Sequence, residues 1–251
     1  MSLGVSAMID ERPLRAVPWL SVLLLVGAFA LQIASGLTRE GPAVEREALP
    51  AAWSLSSLRV AALGAPEAAA RILMLWLQAF DYQPGVSIAF MELDYDRVSM
   101  WLERILALDP SFSYPMLAAS RLYGEVPDPV RQRMMLDFVA RHFDADPARH
   151  WQWMAHAVYL AKHRLKDLDL ALGYARRLAA VDASLAVPGW ARQMQIFVLE
   201  DMGELESARV LLGGLLDSGE ITDPHEQWFL SQRLHELEQQ IASGGENDQS
   251  M

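Results

Sequence analysis

The sequence predicts an all-α protein, in which an N-terminal transmembrane helix is followed by an α-solenoid of helical hairpins. Three observations predict this class. Residues 16–38 carry no charge. Apolar positions recur at helical spacing through most of the remaining chain, and no stretch alternates convincingly between apolar and polar residues as a half-buried strand would. Short breaks that contain Pro and Asp separate the helical segments.

The uncharged stretch is long enough to cross a bilayer. It comprises 23 residues between Arg15 and Arg39, which form a helix of about 35 Å, whereas the hydrocarbon core of a bilayer is about 30 Å thick. We therefore expect the lipid bilayer as a partner through residues 16–38. Residues 1–15 then form an N-terminal arm, and residues 39–65 form a juxtamembrane segment.

The flanking cations bear on the orientation of this helix. Arg12 and Arg15 precede it, and Arg39 and Arg46 follow it. Each side thus has two arginines, and acidic residues contribute little to the orientation of a membrane helix. The short arm with its close-lying arginines favours a cytoplasmic amino terminus. The prediction is a single-pass protein of the bacterial inner membrane, with residues 39–251 in the periplasm.

A cleaved signal peptide is the alternative interpretation of the same stretch. The segment from Trp19 to Gly27 has the composition of an h-region, and Ala28-Phe29-Ala30 matches an A-x-A cleavage site. Cleavage there would produce a mature chain that begins at Leu31. Both interpretations remain open at the level of the sequence.

The composition excludes several classes of function. Hydrophobic residues make up 52% of the chain, which excludes disorder over its whole length. A net charge of −11 argues against a nucleic-acid partner, which requires clustered Lys and Arg. The chain has no cysteine, so disulfides, zinc–cysteine sites and thiol nucleophiles are excluded.

A repeated spacing organises the helical part. Residues 203–215 show the pattern G-x4-A-x3-L-x2-L, which begins at Gly203 and continues through Ala208, Leu212 and Leu215. The same +4 and +7 spacing occurs upstream, although His142 takes the third position of one unit. The first positions of the four units advance by 37, 36 and 37 residues, and they are Val98, Met135, Ala171 and Ala208.

This pattern resembles the second half of a tetratricopeptide repeat, whose period is about 34 residues. The resemblance, to a degenerate and membrane-anchored bacterial form, covers residues 66–222. It implies stacked helix pairs that bind protein partners, as a scaffold or assembly factor of the cell envelope. Residues 223–242 are predicted as a capping helix, and residues 243–251 as a disordered tail.

Two other architectures and roles fit the same residues. A non-repeating helical bundle is the alternative fold. The alternative role is a permanent structural subunit of a larger membrane complex, docked through the transmembrane helix itself. Gln32 and the pair Ala30 and Ala34 have the spacing and residue types of a helix–helix contact in a membrane.

The sequence contains no motif that indicates catalysis. His156 and His163 share a helix face seven residues apart, but a helical metal site needs a four-residue spacing or a third ligand. Gly213-Gly214 lies inside a helical pattern and lacks the flanking residues of a phosphate loop. There is no G-x-S-x-G elbow. We therefore predict no enzyme, no catalytic residue, no cofactor and no metal.

Two segments are candidates for partner binding. The first combines the aromatic residues Trp151, Trp153 and Tyr159 with a basic run that includes Lys162, Arg164 and Lys166. Such a run in an acidic protein suits an acidic segment of a partner. Alternatively, the aromatic residues belong to the core and the cations to a solvated helix end, where they favour the helix dipole.

The second candidate is the apolar connection of residues 83–95, which includes Phe90 and Tyr95. An apolar loop either packs onto the core or is held ready for a partner. The alternative here is that the connection packs onto the first helix pair.

Overall fold

A computed structural model describes residues 18–38, 48–80, 82–83, 86–87, 92–219 and 221–248. These residues are helical almost throughout, which confirms the all-α class. The exception is a hairpin of two short antiparallel strands, β1 (Tyr82–Gln83) and β2 (Val86–Ser87). Strands of two residues are too short to produce an alternating pattern, so the sequence predicted only a connection here. The chain divides into two units, Met1–Arg46 and Glu47–Met251.

The first unit contains helix α1 (Trp19–Thr38). It has no acidic residue in its first turn and no basic residue in its last. Every side chain from Pro18 to Ala34 is exposed. In the described part of the chain, no helix by itself combines the length and the hydropathy of a bilayer span, and the apolar part of α1 runs from Trp19 to Ser35.

The second unit is a succession of helices joined by short turns. Two of them are prolonged by π-helical turns: Ala118–Leu122 follows α5 and leads into the 3₁₀ turn Tyr123–Glu125, and Ala161–Leu165 follows α7. The helices are α2 (Leu55–Ala61), α3 (Pro66–Ala79), α4 (Tyr95–Leu108), α5 (Tyr114–Leu117), α6 (Pro129–Phe143), α7 (Pro147–Leu160), α8 (Leu168–Ala179), α9 (Gly189–Arg192), α10 (Met194–Asp201), α11 (Leu205–Asp217) and α12 (Pro224–Asp248).

Asp–Pro pairs start several of these helices, as the sequence predicted. The carboxylates of Asp128 and Asp146 accept hydrogen bonds from backbone amides in the first turns of α6 and α7, and a proline follows each of them. An aspartate satisfies a free amide at a helix start, and proline has no amide to satisfy there. The carboxylate of Asp223 accepts from the His225 amide in the same way at α12.

The repeated positions form the centre of the core. The four first positions, Val98, Met135, Ala171 and Ala208, are 0% exposed. The four second positions are also 0% exposed, and they are Leu102, Val139, Ala175 and Leu212. They lie on α4, α6, α8 and α11. Each of these helices therefore buries the same face in the same register.

Neighbouring helices along the chain account for the packing. The pairs α3–α4, α6–α7, α7–α8, α8–α10, α10–α11 and α11–α12 all contact each other. Many side-chain contacts over long range join residues 31 to 39 positions apart. This separation is close to the spacing of the repeated positions. Each unit thus contacts the unit next to it along the chain.

An arginine column shows this relation most clearly. Arg104, Arg141 and Arg177 are spaced by 37 and 36 residues. Each reaches back to the preceding segment: Arg104 donates to the carbonyl of Trp53 (3.1 Å), Arg141 to the Glu103 carboxylate (3.1 Å) and Arg177 to the Asp144 carboxylate (2.6 Å). The next position in this column is Gly214, where the arginines stop.

Residues 48–54 lie as an extended segment on α4. Three donors on one face of α4, at positions 97, 101 and 104, bind its backbone carbonyls. The guanidinium of Arg97 donates to the carbonyl of Leu49, and the indole Nε1–H of Trp101 donates to the carbonyl of Pro50 at 2.9 Å. Arg104 completes the set at Trp53. We call this arrangement the α4 clamp.

The last helix is longer than the sequence predicted. The capping helix was expected to end at residue 242, but the backbone of α12 continues to Asp248. Its buried positions include Leu230 and Leu237, seven residues apart. No proline follows residue 242 to interrupt the helix, and glycine lowers helix propensity without preventing a helix.

Candidate partner-binding surface

The residues predicted for partner binding are separated into different environments. Trp151 and Trp153 lie on α7 and are partly buried against the core. Lys162 and Arg164 lie on the π-helical turn that prolongs α7, and Lys166 follows that turn. The prediction for Phe90 lies outside the described residues.

Tyr95 does not belong to an exposed surface. It is 3% exposed at the start of α4, and its hydroxyl donates to the carbonyl of Tyr123 at 3.2 Å. The two rings meet edge to face, with centroids 6.1 Å apart. Burial raises the pKa of Tyr95 to about 12. This residue contributes to the core, because its ring packs between two helical segments and its hydroxyl has an internal acceptor.

An aromatic pair joins α7 to α9. The rings of Trp151 and Trp190 meet in a T-shaped arrangement with centroids 5.4 Å apart. Trp190 remains 53% exposed, so a large apolar surface borders this contact. Exposed tryptophan beside a fixed partner ring is typical of the residues that contribute most to protein interfaces. Trp190 was not among the predicted binding residues, although it follows Trp151 by 39 residues, which is close to one repeat.

A second aromatic group lies farther along the same helical run. Tyr159 is 49% exposed. Its ring stacks on His156, with centroids 5.9 Å apart, and contacts His163 at 4.7 Å. The ring contacts thus form two groups, Trp151 with Trp190 and Tyr159 with His156 and His163, and we call the five residues together the aromatic surface.

Carboxylates compensate two of the three predicted cations. The Lys162 ammonium forms an ion pair with Asp201 on α10. The Arg164 guanidinium lies 3.7 Å from the carboxylate of Glu125. Lys166 is exposed and forms no ion pair with residues in the described ranges. The local positive charge is therefore smaller than the sequence suggested, and Asp201 and Glu125 could not be foreseen as partners because they come from other helices.

Glu125 also fixes the orientation of His156. The Nε2–H of His156 donates to the Glu125 carboxylate at 3.0 Å. Burial lowers the pKa of His156, Arg121 lowers it further, and the Glu125 charge and hydrogen bond oppose this shift. The neutral imidazole is thus the form that stacks on Tyr159 at neutral pH.

The π-helical turns bring these groups together. The turn Ala161–Leu165 ends at Lys166, which has a left-handed backbone with φ of 54°, and the Asp167 amide donates to the carbonyl of Ala161 at 3.0 Å. The turn Ala118–Leu122 precedes Glu125 in the unit before. Such turns inside helices occur frequently at functional sites. They widen the helix locally and so redirect the side chains that follow.

Known proteins give no guide to this surface. The chain matches no family model, no curated protein and no solved structure. In the described residues, no group of three His, Cys, Asp or Glu side chains is placed to hold a metal ion. What the geometry offers is a set of partly exposed aromatic side chains beside charged ones, a combination found at protein interfaces.

Proposed function

We propose that the chain is a single-pass membrane protein whose helical-repeat domain acts as a scaffold or assembly factor for a protein complex of the cell envelope. The observation that carries the proposal is the Trp151–Trp190 pair, in which Trp151 is partly buried against the core and Trp190 remains 53% exposed. The pair joins α7 to α9 and leaves one face of Trp190 open to a partner. A partner segment that covers Trp190 would complete the burial of this pair.

The tetratricopeptide-like architecture is part of this proposal. It is supported by the first and second repeated positions, all 0% exposed, and by the arginine column, in which Arg141 and Arg177 contact the preceding unit at separations of 38 and 33 residues. In repeat proteins, each unit contacts mainly its neighbours, and the stacked units create extended surfaces for partners.

The membrane anchor is the second part of the proposal. It is supported by the uncharged residues 16–38 and by α1, whose 20 residues correspond to about 30 Å of helix. A helix that is apolar on every side and exposed on every side needs an apolar environment. We place it in the bacterial inner membrane, with residues 39–251 on the periplasmic side, because of the arginines in the short N-terminal arm.

A purification with matched variants tests the proposal. The full chain, Trp190→Ala and Trp228→Ala are expressed in the native host and purified from membranes in mild detergent. Trp228 is a suitable control because it is an exposed tryptophan on α12, outside the aromatic surface. We expect a partner that is recovered with the native chain and with Trp228→Ala and is lost with Trp190→Ala. Equal recovery with all three chains would contradict a role for this surface.

A further variant separates a scaffold from a permanent subunit. In it, residues 16–38 are replaced by an unrelated transmembrane helix. A scaffold that binds through the aromatic surface keeps its partner after this exchange. A subunit docked through Gln32 and the neighbouring small residues loses it, and that result would favour the alternative role.

A further inference from the structure

We infer that the α2–α3 surface lies in the interfacial layer of the membrane, so that the domain rests on the bilayer through this surface. The α2–α3 surface consists of the exposed apolar residues Trp53, Val60, Leu63, Ile72 and Leu75. The inference rests on the proposed membrane anchor and extends it, because it assigns a lipid contact to the helical domain itself.

Exposed apolar side chains are concentrated in this region. Outside α1, the described residues include fourteen exposed large hydrophobic side chains, and five of these belong to the α2–α3 surface. Leu63 is 91% exposed and Val60 is 77% exposed. All five lie within residues 53–75, and exposed apolar groups that are concentrated in one region typically mark a protein or membrane contact.

The turn between the two helices places an apolar side chain at its tip. Leu63 has a φ of 49° and Gly64 has a φ of 88°, both in the left-handed region. This conformation is unfavourable for a leucine. The fold gains no burial from it, because the Leu63 side chain is nearly fully exposed. The geometry instead projects a leucine beyond the ends of α2 and α3.

The composition of α2 and α3 is compatible with a bilayer, but their packing excludes a span. Together the two helices meet the length and hydropathy criterion for a span, although they are bent by 108° at their junction. The opposite face of α3 is in the core, where Ala70, Met74 and Leu77 are buried. One face of α3 is therefore packed in the core, and the exposed face carries the apolar residues Ile72 and Leu75. An exposed apolar face of this kind suits a helix that lies in the membrane interface.

The charge of this region suits a membrane surface. Residues 48–80 contain the single acid Glu67 and two arginines, Arg59 and Arg71, the second of which is paired with Asp109 at 3.1 Å, whereas the whole chain has a net charge of −11. Anionic headgroups attract cations and repel the acidic remainder of the domain. Trp53 is 58% exposed beside these residues, and tryptophan is enriched at the level of the headgroups.

The tether keeps this surface near the bilayer. The α4 clamp fixes the backbone at Leu49, and only residues 39–48 separate it from the end of α1 at Thr38. A chain of this length spans at most about 40 Å when fully extended. The proposed anchor would therefore hold residues 53–75 within reach of a bilayer, which is a large apolar surface.

Fluorescence quenching in proteoliposomes tests the inference. Because the native chain has no cysteine, the full chain can be labelled with an NBD dye at a single introduced cysteine. Leu63→Cys probes the α2–α3 surface and Val130→Cys, 72% exposed at the start of α6, is the matched control. Phe29→Cys in α1 reports the depth of the anchor. The vesicles contain phosphatidylcholine and phosphatidylglycerol, with or without a doxyl-labelled lipid.

We expect doxyl lipid near the headgroup level to cause a loss of NBD intensity at position 63 and no loss at position 130. If the chain floats with the vesicles but position 63 is quenched no more than position 130, the inference is wrong and the anchor stands. If the emission of NBD at position 63 shifts to the blue but is not quenched by the doxyl lipid, protein and not lipid covers the surface, and the inference is also wrong. A chain that does not float with the vesicles contradicts both the inference and the proposed anchor.

Discussion

His142 is a polar residue at a repeated position that is aliphatic in the other three units. The third positions of the other units are Ile105, Leu178 and Leu215, and His142 is partly buried at the equivalent site. Its Nε2 is buried and has no hydrogen-bond partner in the described part of the chain. Burial lowers the pKa of His142, while Glu103 acts in the opposite direction. An imidazole here costs stability that an aliphatic side chain would not.

We expect His142→Leu to stabilise the domain and to reduce its sensitivity to acid. An unsatisfied buried polar group costs about 1–3 kcal/mol, so removal should raise the free energy of unfolding by roughly 1 kcal/mol at neutral pH. The lowered pKa means that the unfolded chain binds a proton near pH 6.5 while the folded chain does not. The fold is therefore most stable, with respect to this group, above pH 6.5, and it loses stability as the pH falls from 6.5 toward the pKa of the folded state.

Urea unfolding of the native chain and of His142→Leu at several pH values between 5 and 7.5 provides the measurement. The variant should show a shallower decline of unfolding free energy below pH 6.5. Identical pH profiles for the two chains would show that His142 does not titrate with unfolding, and the pKa argument would fail.

At the scale of elements, neither the repeated spacing nor helix propensity predicts the α4 clamp. Trp101 is 3% exposed, its ring meets Trp76 edge to face at 4.9 Å, and its indole nitrogen binds the carbonyl of Pro50. The clamp thus supplies side-chain donors for backbone carbonyls of a segment that belongs to no helix or strand. Through it, residues 48–54 become part of the helical domain.

We expect Trp101→Phe to release residues 48–54 without unfolding the helices. The variant keeps an aromatic ring but loses one hydrogen bond, worth about 0.5–1.5 kcal/mol. Trp153→Phe is the matched control, since the Trp153 indole nitrogen is buried and has no partner in the described residues. Chymotryptic cleavage after Trp53 under native conditions should accelerate in Trp101→Phe alone. Equal protection of this segment in both variants would mean that the indole bond does not hold it.

Local chemistry explains which elements were predictable. The starts of α6, α7 and α12 followed from Asp–Pro pairs, because a cap and its proline lie next to each other in the sequence. The π-helical turn at Ala161–Leu165 could not be predicted, because it differs from an α-helix only in hydrogen bonds that span five residues instead of four, and no residue composition marks it. The pairing of Glu125 with His156 depends on the register between two helices, which no local pattern encodes.

For the whole molecule, the central question is whether the first unit remains attached to the second. An intact anchor requires the chain to keep residues 16–38, whereas the cleavage site at Ala28-Phe29-Ala30 would remove most of α1. Without α1, neither the proposed anchor nor the contact of the α2–α3 surface with the membrane would be available. The two interpretations differ in the mass of the mature protein.

We predict that the membrane fraction contains the chain with its N-terminal segment in place. Cleavage would leave the apolar residues from Leu31 onward at a new terminus, whereas an uncut α1 has the length of a bilayer core. Intact-mass spectrometry of the purified protein checks this. A mature chain that begins near Leu31 and is recovered in the soluble fraction would rule out the anchor.

The α4 clamp also determines where mechanical load enters the domain. Carbonyls at Leu49, Pro50 and Trp53 are held by side chains spaced over two turns of α4. Tension on the chain before Leu49 is therefore transmitted to the body of α4 before it reaches α2. The bonds share that load in shear along the segment, and α2 and its turn at Leu63 are relieved of it. A pull on the N-terminal side would strain the clamp first.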